Sequence, residues 1–192
     1  MRLLELNSHG EFALTRDLKN NVPNYGILSH TWADNNEEEV TFEDFNNGYA
    51  KWKPGYKKIQ FCADQAARDG LRYFWIDTCC INKSSDTELS EAINSMFRWY
   101  KEAAKCYVYL SDVSIRECGT NDSLETAFMK CKWFTRGWTL QELIAPASIE
   151  FFSQESQPLG NKRRWESKIS QVTGIAIQAL RGECLANFSV SE

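Results

Sequence analysis

The sequence predicts an α/β domain, a parallel sheet flanked by helices with a β-hairpin at its N-terminus, and two observations carry that prediction. Short apolar runs of strand length alternate with stretches whose apolar residues recur at helical spacing. The intervals are those of βα units, which need parallel pairing and right-handed crossovers. The apolar runs also hand over to hydrogen-bonding residues, at Ser29-His30, Asp77-Thr78 and Ser111-Asp112. Open parallel sheets place their ligand crevice beyond those carboxyl ends.

Each element has its own signal. Met1–Leu6 and Phe12–Leu14 flank the turn-forming Asn7-Ser8-His9-Gly10, which suggests a hairpin covering one sheet edge. Tyr25–His30 reads as a buried strand, followed by an acidic loop with Glu37-Glu38-Glu39. Between Gly55 and Gly70, Ile59, Cys62, Ala63 and Ala66 share one helical face, and Gly70 is placed to stop that helix. Leu71–Ile81 reads as a second buried strand, and Ser85-Asp86-Thr87-Glu88 has the form of a capping box. The helix behind it carries Leu89, Ile93, Met96, Phe97 and Tyr100 on one stripe, and Cys106–Leu110 is a third strand. Helices follow over Leu124–Lys130 and Trp138–Ile144, the latter ended by Pro146. Ser148–Phe152 is a fourth strand, and an amphipathic segment spans Trp165–Val172 before Gly174.

A chain of 192 residues, 43% hydrophobic, supports one substantial core. One domain over 1–192 is expected, with its core at about 20–155 and a helical extension at about 156–192. The tail has no stop signal of its own, so the chain reads as a piece of something longer. A net charge of −4, with Lys162-Arg163-Arg164 as the one basic run, makes nucleic acid a poor partner. No run reaches the roughly 20 apolar residues of a membrane span, and no signal-peptide pattern opens the chain, so a cytoplasmic protein is expected. Seven cysteines in apolar or helical contexts read as reduced thiols. Without a C-x-x-C pair, and with only His9 and His30, no metal site is expected.

Three segments together carry a resemblance: Tyr25-Gly26-Ile27-Leu28-Ser29-His30-Thr31-Trp32, Trp75-Ile76-Asp77-Thr78-Cys79-Cys80-Ile81-Asn82, and Arg136-Gly137-Trp138-Thr139-Leu140-Gln141-Glu142-Leu143. They resemble the signature blocks of HET (heterokaryon incompatibility) domains of filamentous fungi. Stretches 91–100 and 104–110 resemble the family too, so the likeness runs from Met1 to about Phe152. It is to HET domains at the N-terminus of fungal NLR-like proteins, which implies nucleotide-binding and repeat modules further along. No G-x-x-x-x-G-K-[ST] occurs within this chain.

The resemblance also implies kinship with TIR domains, flavodoxin-like folds of which some hydrolyse NAD and others act as self-assembling scaffolds. Catalytic TIR domains carry a glutamate on the helix before the fourth strand, often with a Trp four residues earlier, and Trp138 and Glu142 reproduce that spacing. Side chains at i and i+4 share a helical face, so the two are able to address one ligand. Cleaving the nicotinamide–ribose bond builds positive charge on the sugar, which a carboxylate stabilises. Glu142 is the candidate catalytic residue. Trp138 offers the pyridinium an aromatic face, and Ser29, His30, Trp32, Asp77 and Arg136 are candidates to hold ribose or phosphate. NAD is then a substrate, and no cofactor is implied.

Plainer readings stand beside these. Glu142 is equally a solvated helix residue or a partner for Arg136, Trp138 and His30 are core side chains, and Asp77 caps a loop. Cys79 and Cys80, adjacent on a strand, point to opposite faces, so at least one is core. Three functions therefore compete: an NAD-cleaving death effector activated by self-association, a non-catalytic death-inducing scaffold, and a thiol hydrolase using Cys79 with His30 as base and Asp77 as orienting group.

Overall fold

The computed structural model describes residues 1–6, 10–117, 123–183 and 188. Its centre is a seven-stranded sheet built from β1 (Leu4–Leu6), β2 (Phe12–Leu14), β3 (Tyr25–His30), β4 (Tyr73–Trp75), β5 (Lys105–Tyr109), β6 (Ile149–Phe152) and β7 (Pro158–Asn161), in the order β2-β1-β4-β3-β5-β6-β7. The inner four strands, β4-β3-β5-β6, are parallel. Counted from β3, that is the 2-1-3-4 order of flavodoxin-like open sheets. Antiparallel strands close both ends, β1 against β4 and β7 against β6.

Helices α1 (Phe42–Asn46), α2 (Tyr56–Arg68), α3 (Asp86–Glu102), α4 (Leu124–Lys130), α5 (Thr139–Ile144), α6 (Lys162–Thr173) and α7 (Ile177–Leu180) complete the chain. One sheet face packs on α2, where Phe61 meets Tyr109 and Phe152 with ring centroids 5.0 Å apart in each case. The other packs on α3 to α6: Tyr100 meets Trp75, and Phe128 stacks on Trp165 at 4.2 Å and meets Phe151 edge-on. Every residue of β3 is buried, as a central strand covered on both faces must be. At Gly26 the absence of a side chain matters, because a Cβ there lies 2.6 Å from the Tyr107 ring.

The hairpin forms and extends the sheet beyond β4, although its expected turn at Asn7-Ser8-His9 lies outside the described residues. Gly70, at φ +71°, follows α2 as expected of a stop. Three expectations need correcting. The strand expected over Leu71–Ile81 is only Tyr73–Trp75, because the Cys80 N–H bonds the Ile76 carbonyl at 2.9 Å and turns the chain. Cys79 and Cys80 thus sit in a turn, and both are buried. The capping box is half made: Ser85 accepts from Glu88 N–H, but the Glu88 carboxylate goes to Asn82 N–H and Arg2. Strand β7 had no sequence signal, since Pro158 and Gly160 are depleted in strands except at edges.

Candidate functional site

Successive side chains of a strand point to opposite faces, so Ser29 and His30 at the tip of β3 serve different neighbourhoods. Ser29 Oγ donates to Glu142 Oε2 at 2.6 Å and accepts from Trp133 Nε1 at 2.7 Å. Glu142 stands on α5, its N–H bonded to the Trp138 carbonyl, and its side chain is only 2% exposed. Both of its oxygens are held by Arg136, Nη1 to Oε2 at 2.9 Å and Nη2 to Oε1 at 3.1 Å. Burial by itself lowers the pKa of Arg136, but the adjoining Glu142 charge outweighs it and raises the pKa, keeping the guanidinium protonated.

On the other side of the strand tip, His30 Nε2 lies 3.0 Å from Asp77 Oδ1, while Trp32 Nε1 donates to Asp77 Oδ2 at 2.9 Å. Burial raises the pKa of Asp77, yet its interactions with His30 and the charges of Lys83 and Arg136 prevail and hold it well below the usual carboxylate range. Lys83 Nζ sits 3.6 Å from the centroid of the Trp32 ring. Its own pKa is lowered by burial, against the opposing pull of Asp77. His30 Nδ1 is buried without a hydrogen-bond partner among the described residues.

Of these groups, Trp32, Asp77, Lys83 and Arg136 border a cleft of about 470 Å³ at the carboxyl ends of β3 and β4. Trp32, Asp77, Lys83, Arg136 and Trp138 supply its polar and aromatic wall, and Leu89, Ile93 and Met96 of α3 its apolar wall. Two larger clefts, of about 600 and 1000 Å³, hold none of the candidate residues.

Six of the seven residues singled out in the sequence therefore fall into two bonded groups, Ser29 with Glu142 and Arg136, and His30 with Trp32 and Asp77. Arg136 links them, because it grips Glu142 and also reaches the cleft where Asp77 lies. Trp138, 46% exposed, forms cleft wall one turn before Glu142. Glu142 itself does not line the cleft and communicates with it through Arg136.

Three features escaped the sequence reading. Lys83 lies just past the second signature block, and no pattern marks it. Trp133, in a 3₁₀ turn over Lys132–Thr135, is buried and fixes Ser29. Glu39, read as part of an acidic loop, is buried in an ion pair with Lys58 of α2. The pair brackets Trp32: Glu39 Oε1 accepts from Ala33 N–H at 2.7 Å, and Lys58 Nζ donates to the Thr31 carbonyl at 3.0 Å.

The thiol-hydrolase reading is overturned. Cys79 is fully buried, and burial drives its thiol pKa well above the ordinary value, with Cys80 and Asp77 adding to the rise. A nucleophilic cysteine needs the opposite environment.

The sequence pattern described as heterokaryon incompatibility protein (HET) matches residues 25–125. The chain is 58% identical over 195 residues to the vegetative incompatibility protein HET-E-1 of Podospora anserina. That match covers 100% of this chain and 14% of the relative's length. No solved structure matches the chain.

Proposed function

Because the chain belongs to the heterokaryon incompatibility family, we propose that it is a cell-death effector domain in fungal non-self recognition that hydrolyses NAD when clustered. The observation supporting this reading is the cleft at the strand ends, where two exposed indoles, Trp32 and Trp138, adjoin Asp77 and the cations Lys83 and Arg136. Flat aromatic ligands with phosphate groups match such a wall, the indoles taking a ring and the cations taking phosphate.

In the proposed reaction the bond from the ribose anomeric carbon to the nicotinamide nitrogen breaks, and its electron pair stays with the ring. Nicotinamide leaves neutral and needs no proton. Water adds to the anomeric carbon and loses its proton to solvent, giving ADP-ribose. The Glu142 carboxylate stabilises the oxocarbenium-like sugar once a substrate phosphate draws Arg136 away from it, and Ser29, anchored by Trp133, keeps the carboxylate oriented. The chain spans 14% of the length of its curated relative. We place nucleotide-binding and repeat modules beyond it in the whole protein, as the device that clusters this domain in the cytoplasm.

A non-catalytic scaffold is the second reading, favoured by the exposed Ile93 and Phe97 on α3, with Leu140 on α5 and Trp138 just before it. The test is to fuse the purified domain to an inducible dimeriser and follow NAD by chromatography. Release of nicotinamide and ADP-ribose on clustering, lost in a folded Glu142→Gln variant, is the expected outcome. Intact NAD under clustering, with cell death retained by Glu142→Gln and lost in Phe97→Asp, establishes the scaffold instead.

A further inference from the structure

We propose that the corner formed by Trp32 and Asp77 is a subsite for a flat organic cation, and that Lys83 is its internal occupant, displaced when such a ligand enters. Identifying the cation as the pyridinium of an oxidised nicotinamide nucleotide rests on the reading above; the subsite itself does not.

The Trp32 ring forms part of the cleft wall. Its N–H donates to Asp77 Oδ2 at 2.9 Å, and a carboxylate accepting from an indole N–H makes the ring face more attractive to positive charge. Trp32 is 37% exposed and lines the cleft. Residues on both sides of it are pinned by the buried Glu39–Lys58 pair, so the ring is a fixed platform. Over it stands a cation already, the Lys83 ammonium, 3.6 Å from the ring centroid. A lysine ends a flexible four-carbon stem, whereas Trp32 and Asp77 are tied to β3, to His30 and to each other. The rigid parts form a receptor for positive charge, and the mobile part occupies it.

The binding energy of a cation–π contact is largest when the cation is weakly hydrated. A delocalised aromatic cation is less hydrated than an ammonium and covers more of the indole. Such a ligand therefore replaces Lys83 favourably and frees the ammonium to meet an anionic group of the same molecule. A neutral ring of equal shape lacks that advantage.

The test compares 1-methylnicotinamide, a permanent cation, with neutral nicotinamide, by ligand-detected NMR titration of the purified chain. Lys83→Met is expected to bind the cation about three- to tenfold more tightly than the unsubstituted chain, with nicotinamide weak in both. Adding Trp32→Leu to Lys83→Met should abolish the gain. The proposal is overturned if Lys83→Met leaves cation affinity unchanged or weakens it, if nicotinamide binds equally well, or if the gain persists without Trp32, which would make it a general charge effect. None of these readouts involves NAD cleavage, so an inactive enzyme with an intact cation subsite sinks only the hydrolase reading.

Discussion

The Ser29 hydroxyl donates a hydrogen bond to Glu142 Oε2 at 2.6 Å, and this bond ties the tip of the central strand to the short helix that carries the carboxylate. Arg136 bonds both carboxylate oxygens, so neither oxygen of the buried Glu142 is left without a donor.

Removing that charge alone leaves Arg136 without the carboxylate it is bonded to. Glu142→Gln is expected to lower unfolding stability by about 3–5 kcal/mol, as breaking a buried pair does. Replacing both partners with apolar residues in Arg136→Met/Glu142→Leu should recover much of that loss without restoring the proposed NAD cleavage. Denaturant unfolding measures the first effect and nucleotide chromatography the second.

The Lys58 and Glu39 pair is buried on both sides, at 7% and 6% side-chain exposure. Lys58→Met is expected to cost about 3–5 kcal/mol for the same reason. Because the pair also holds Thr31 and Ala33, amide exchange over 31–33 should quicken more than exchange in β3. Equal quickening in both would show that the pair has no local hold on the loop.

Gly26→Ala puts a methyl group 2.6 Å from a Tyr107 ring atom. The ring is buried, and its hydroxyl donates to Asp69 Oδ2 at 2.7 Å, so it has little room to retreat. A loss of about 1–3 kcal/mol is expected from overpacking. Pairing it with Tyr107→Leu, which makes space at that point, should shrink the loss.

Glu155 links the segment after β5 to the turn after β6. Burial acts to raise its pKa, but hydrogen bonds from Ser114, Ser153 and Ile115 N–H prevail and hold it at about 2, against an ordinary 4.5. A carboxylate with a depressed folded-state pKa adds stability above its unfolded value, and that stability fades as pH falls through the folded one. The difference in stability between the unsubstituted chain and Glu155→Gln should thus be full above about pH 4.5 and shrink toward pH 2. Unfolding curves across that range check it.

Much of the architecture was legible because burial writes periodicity into sequence. Stretch 25–28 is apolar because both faces of β3 are covered, and Leu124–Lys130 carries the helical repeat, whereas the stripe of α3 mixes buried Met96 and Tyr100 with exposed Ile93 and Phe97. Strand β7 was illegible because an edge strand tolerates Pro158 and Gly160, the residues that argue against a strand. Of the site, the polar residues at strand ends were readable from the switch in hydropathy. Their partners were not: Lys58, Trp133 and Lys83 act through contacts 19 to 104 positions away or across a loop, and a single sequence carries no record of such pairings.

The two antiparallel strands at the sheet's ends limit how a second copy of this domain is able to attach. Strands β2 and β7 are three and four residues long, and β7 includes a proline that has no N–H to give. Both are poor templates for an incoming backbone. Among the described residues, growth of a filament by stitching sheet to sheet is disfavoured at either margin. Side chains, not main-chain ladders, are left to set the geometry of any higher-order body, which makes that geometry sensitive to single point changes on α3 and α5.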